Sequence, residues 1–176
     1  MSRVLPRQPV PELVVPTLSG TIWNLAAASP QRFSLIVFYR GLHCPICKTY
    51  IAELDSQVPE FAIRGVETIA LSSDTEERAR QAQTSWGLSQ LLVGHSLTIG
   101  TARAWGLYIS TGRGTTSAGV EEPSLFSEPG VFLVRPDHTL YWASVQSMPF
   151  ARPHFRDVVP ALDFVIAKDY PARGEA

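Results

Sequence analysis

Two cysteines, two methionines and a net charge of −1 in 176 residues are scarcities, and each removes a class of protein. The cysteines, at 44 and 47, are three positions apart. A disulfide across so short a loop restrains little chain, so stapling is a poor explanation for the pair. The four histidines (43, 95, 138 and 154) show no paired spacing, which leaves a zinc site short of two ligands. The near-zero charge lacks the basic footprint that nucleic acid or an anionic membrane surface needs. No apolar run approaches the roughly 20 residues of a membrane-spanning helix. Met1 to Pro6 carries no apolar leader core, and prolines at 6, 9, 11 and 16 oppose an early helix, so a cytoplasmic protein is expected. What is present is ordinary globular material. Hydrophobic residues make up 45% and charged residues 18%, enough for one domain with a full core.

The pattern along the chain alternates strand and helix. Glu12–Thr17 and Thr21–Leu25, joined through Ser19-Gly20, read as a small hairpin. Phe33–Tyr39 is nearly continuously apolar and rich in β-branched and aromatic residues, as in a strand buried on both faces. A helix is expected from Pro45, because Cys47, Tyr50, Ile51, Leu54, Val58 and Phe61 form one apolar stripe at helical spacing. Pro59 falls inside that stripe and should kink the helix without ending it. Gly65 closes the helix and Val66–Leu71 is the next buried strand. Ser73–Glu77 has the character of a helix start, opening a polar helix to about Trp86. Leu91–Val93 is a short strand and Thr98–Trp105 a short helix. Residues 110–128, rich in Gly, Ser and Thr, read as a long mobile loop with few anchors. Val131–Val134 and Thr139–Val145 form a late hairpin, and a last helix runs from about Pro153 to Lys168. No repeat or linker divides the chain. The order βαβα, hairpin, helix implies a single α/β domain over residues 5–170 with a mixed central sheet flanked by helices.

The chemistry concentrates at Cys44-Pro45-Ile46-Cys47, between the buried strand and its helix. Cys44 should occupy the N-cap and Cys47 the first turn, where unsatisfied amides and the helix dipole favour a thiolate. Two thiols within one turn can close into a disulfide, so one sulfur attacks and the other resolves. Pro45 holds the turn rigid. Cys44 is expected to be the more exposed, since Cys47 begins the inward stripe.

Phe38-Tyr39-Arg40-Gly41-Leu42-His43-Cys44-Pro45-Ile46-Cys47-Lys48 resembles the active-site stretch of the peroxiredoxin-like branch of the alkyl hydroperoxide reductase/thiol-specific antioxidant family, within the thioredoxin superfamily. The likeness continues through Thr17–Leu25, Glu60-Phe61, Gly65-Val66, Ser72-Ser73-Asp74, Trp105-Gly106-Leu107 and Val131–Leu140. It implies a thioredoxin-like fold and antioxidant thiol chemistry without cofactor or metal. The substrate would be a disulfide or a peroxide, the reductant an external thiol, and a homodimer through edge strands is compatible with it.

Two departures shape the expected activity. Where typical peroxiredoxins have Pro-x-x-x-Thr-x-x-Cys, this chain has Arg40, Cys44 and Cys47, so Cys47 aligns with the peroxidatic cysteine. The family arginine three residues before the late-strand phenylalanine is replaced by Pro129, which resembles the cis-proline of thioredoxins. Both departures favour thiol–disulfide exchange, with Cys44 attacking and Cys47 resolving. The alternatives are a thiol peroxidase with Cys47 as attacking residue and a non-catalytic thioredoxin-fold binding module. Arg40 and Arg152 are candidate cationic donors for a thiolate or peroxide oxygen. His43 is either an imidazolium that acidifies Cys44 or an ordinary half-exposed ring.

Overall fold

The computed structural model describes residues 4–176; Met1–Arg3, the start of the stretch read for a leader, lie outside the described residues. β1 (Val14–Pro16) and β2 (Ile22–Asn24) form the entry hairpin, followed by a single 3-10 turn. β3 (Phe33–Phe38), α1 (Pro45–Ala62) and β4 (Val66–Leu71) make a parallel β-α-β unit. α2 (Glu76–Trp86), β5 (Leu92–Gly94) and α3 (Ile99–Ala104) come next. β6 (Ile109–Thr111) pairs with β7 (Leu125–Ser127) in a separate ribbon. β8 (Gly130–Val134), β9 (Leu140–Val145) and α4 (Phe155–Lys168) complete the chain.

The main sheet has the order β5-β4-β3-β8-β9, with β3 parallel to β4 and antiparallel to β8. Every residue of β3 is buried because both of its faces are covered, which is why that run lacks polar alternation. Leu35 and Val37 join the layer of Ile51, Leu54, Phe61 and Phe155 from α1 and α4. Ile36 and Phe38 pack on the other side with Trp105 and Phe132. α1 runs continuously through Pro59 to Ala62 with Pro45 in its first turn, and α2 starts from Thr75, whose hydroxyl accepts the Arg78 amide.

Segment 110–128 differs from its reading as a poorly anchored loop. The short strands β6 and β7 tie its ends together, and Phe126 is fully buried. Thr115 bridges Glu121, and Thr116 receives the amide of Ala118 near the tip. The polar composition hid the anchors because only one large apolar residue does the packing, and the rest is done by carboxylates and hydroxyls.

Candidate active site

β3 delivers the chain to a tight connection, residues 39–44, that ends at the N-terminus of α1. Gly41 makes this turn possible, with φ of 129°. A Cβ there would sit 2.7 Å from the Asp74 carboxylate. That carboxylate, buried at the foot of α2, accepts the Leu42 amide at 2.7 Å and pairs with Arg78 at 2.9 Å. Asp74 therefore pins the thiol-bearing connection to the α2 side of the fold. The sequence signalled Asp74 as part of a helix start but gave no sign of this role.

Cys44 is the N-cap of α1, as expected, and its sulfur accepts the Cys47 amide at 3.2 Å. Both thiols are free. The expected difference in access is not found: Cys44 is 1% and Cys47 0% exposed, while Pro45 and Ile46 between them are exposed. The N-cap faces out of the helix end, but neighbouring elements cover it. The Cys44 thiol is held down to about 7 by the Cys47 thiol and amide, which hydrogen-bond its anion, and then by the charges of Arg40 and Arg152. Cys47 moves the other way. Burial, with the proton it shares toward Cys44, pushes its thiol well up. Of the two thiols, Cys44 is therefore the one that ionises more readily.

Arg152 is the cation that reaches the pair. It is buried, its Nη1 lies 3.6 Å from Cys47 Sγ, and its guanidinium stacks 4.0 Å from the Tyr50 ring centroid. Its Nη2 is buried with no acceptor among the described residues. Arg40 is close enough for its charge to acidify Cys44, but its side chain is engaged elsewhere. It pairs with Glu122 at 3.2 Å and Glu128 at 3.4 Å, over the Phe126 ring. Its role as a free donor is not what the geometry provides.

Two further expectations are corrected. No peptide bond among the described residues is cis, so the bond before Pro129 is trans and the thioredoxin-type cis-proline is absent. Pro129 instead leads directly into β8, and its carbonyl accepts the Gln146 amide at 3.0 Å, as a residue continuing the β8–β9 ladder would. His43 is neither half-exposed nor charged. It is buried, and burial lowers its pKa to about 4. It stacks on Phe126 with centroids 4.6 Å apart, and neither ring nitrogen has a partner among the described residues. Phe126, Glu122, Glu128 and Thr116 were missed by sequence reading. The available signal was Glu121-Glu122 and an isolated Phe126 within an otherwise small and polar stretch.

A mixed five-stranded sheet with a thiol pair at the N-terminus of the helix after its central strand defines a thioredoxin-like fold. Solved structures agree. Peroxidoxin BcpB from Mycobacterium tuberculosis superposes with a TM-score of 0.71 at 16% identity, covering 93% of this chain and 99% of that one. The mitochondrial 2-Cys peroxiredoxin from Plasmodium falciparum gives 0.72 at 16%, covering 94% and 96%. AhpC from Enterococcus faecalis gives 0.72 at 13%, covering 98% and 99%. Comparison with curated proteins gives no significant match. The chain belongs to the AhpC/TSA family, whose model matches residues 6–143.

Proposed function

We propose that this protein is a thiol peroxidase that reduces small hydroperoxides and cycles through a Cys44–Cys47 disulfide. The observation that carries this reading is the Cys44 sulfur at the buried N-cap of α1, where it accepts the Cys47 amide at 3.2 Å. Family membership supports peroxide as substrate. Burial of both sulfurs and the trans bond before Pro129 speak against the disulfide-exchange role expected from the sequence. The acidified Cys44 speaks against a non-catalytic binding module, which has no use for a thiol so far from its ordinary value.

In the reaction, the Cys44 thiolate takes the terminal oxygen of the hydroperoxide, the O–O bond breaks, and the departing alkoxide takes up a proton. The product is a Cys44 sulfenic acid and an alcohol. The Arg152 Nη2 is a buried donor for the negative oxygen that develops. The Cys47 sulfur then displaces hydroxide from the sulfenic acid, which leaves as water with the Cys47 proton, and the disulfide forms within one helical turn. An external thiol returns both cysteines to the reduced state.

A second reading is favoured by the contact of Arg152 with Cys47 at 3.6 Å and by the spacing from Phe38: Cys47 attacks and Cys44 resolves. Mass spectrometry of single variants decides between the two. In the leading reading, Cys47→Ser accumulates sulfenic acid on Cys44 under stoichiometric hydroperoxide, and Cys44→Ser reacts no faster than free cysteine. The reverse pattern makes Cys47 the attacking residue. Reaction of neither variant above free cysteine refutes peroxidase chemistry altogether.

A further inference from the structure

The β6–β7 excursion lies against the strand–helix connection that carries Cys44. The Thr116 hydroxyl donates to the His43 carbonyl at 2.7 Å, directly before Cys44 in the chain. Phe126 stacks on the His43 ring. Glu122 and Glu128 hold Arg40 from the same side, and Glu128 is itself fixed by the Ser110 hydroxyl at 2.6 Å. Arg78, the partner of Asp74, reaches the Glu121 carbonyl at 3.1 Å. The excursion is thus fastened to both ends of the connection, by bonds on α2, at Arg40 and at His43. Beside it lies a polar cavity of about 390 Å³, bordered by Arg40, Ser110, Glu122, Phe126, Glu128 and Met148.

This cover has a consequence for the reductive half of the cycle. Cys44 and Cys47 are already neighbours within one helical turn, with the amide of one on the sulfur of the other. Closing the disulfide joins two sulfurs that are both buried in the reduced protein. A folded protein dithiol must bring its own backbone against the disulfide to attack it, whereas a small thiol needs only a path a few ångströms wide.

We propose, resting on the cysteine cycle above, that the β6–β7 excursion is a selectivity element that reserves the Cys44–Cys47 disulfide for low-molecular-weight thiols and excludes protein dithiols. The polar cavity beside it suits a hydrophilic thiol. One small thiolate attacks a disulfide sulfur, the S–S bond breaks, and the displaced sulfur leaves as a thiolate. A second small thiolate then attacks the mixed disulfide, freeing the remaining cysteine and releasing the oxidised small thiol.

The test compares reductants on protein whose disulfide has been installed with diamide, so it is read whether or not hydroperoxide is the natural oxidant. Loss of two hydrogen atoms by intact mass establishes the starting state; if diamide does not produce it, both this proposal and the cysteine cycle fail. Reduction is followed with cysteine, glutathione and reduced thioredoxin at matched thiolate concentration, in the wild type and in Thr116→Val and Glu122→Gln. The expected wild-type result is reduction by the small thiols at least about tenfold faster than by thioredoxin. Each variant loosens one tether and should raise the thioredoxin rate by about fivefold or more, while in Thr116→Val, whose side chain does not border the cavity, the small-thiol rates stay within about twofold. Thioredoxin matching the small thiols in the wild type overturns the proposal. Thioredoxin rates unchanged in both variants overturn the role of the excursion even if the wild-type preference holds. Circular dichroism and a normal diamide reaction check that each variant is folded.

Discussion

The acidity of Cys44 makes a quantitative demand on the stability of the fold. Its thiol falls from an ordinary value of 9.0 to about 7 in the folded chain, through the Cys47 thiol and amide first and the guanidinium charges after them. A folded value below the unfolded one means the stabilisation is complete above the unfolded value and is lost as pH falls through the folded one. A two-unit depression amounts to about 2.7 kcal/mol at its limit. Between about pH 6 and about pH 8.5 the gain amounts to about 1.5–2 kcal/mol. Above the ordinary thiol value the trend reverses, because Cys47 keeps its proton in the folded chain while the unfolded one releases it. The perturbation is Cys44→Ser, which removes the titrating group and leaves a hydroxyl at the cap. Urea unfolding of both proteins under reducing conditions, across this pH range, gives the difference directly. The wild type should gain on the variant by that amount as pH rises, and the thiolate absorbance of reduced protein should titrate with a midpoint near neutrality. A stability difference flat within about 0.5 kcal/mol, with a midpoint in the ordinary cysteine range, refutes the assignment of the resting charge to Cys44.

Two other outcomes follow from the same geometry. Gly41→Ala places a Cβ against the Asp74 carboxylate at a backbone angle that disfavours side chains, and should cost about 2–4 kcal/mol by urea unfolding, with loss of peroxide reactivity because the Leu42–Asp74 bond is disturbed. His43→Phe removes a buried imidazole whose pKa is lowered from 6.5 to about 4, a group whose neutral form the fold requires and whose penalty grows as pH falls below its unfolded value. The variant should therefore gain about 2 kcal/mol on the wild type at about pH 5 relative to neutral pH, and its peroxide rate should keep the same pH dependence near neutrality. A new limb in that profile would show that His43 titrates with the reaction.

Much of the frame was legible from the chain because it rests on local signals. β3 announced itself by an unbroken apolar run, and α1 by Pro45 and the stripe from Cys47 to Phe61. The Cys44 cap follows from the same rule, since a residue immediately before Pro45 at a helix start has its side chain beside the first free amides. The family resemblance was likewise legible, from Phe38–Lys48 and from short stretches spread through the chain, and the family model matches residues 6–143.

The sequence alone therefore determined that a thiol pair sits at a helix N-terminus behind a buried strand, for these depend on neighbours within a few residues. Only the tertiary structure decided which cation lies against the pair, that the cap is buried, and that a polar stretch is an anchored excursion. Arg152 meets Cys47 across 105 positions of chain, and Arg40 meets Glu122 across 82. Such pairings leave no periodicity to read. The bond before Pro129 belongs with them: proline permits either isomer, so the residue type alone leaves the choice open, and in the fold the bond is trans.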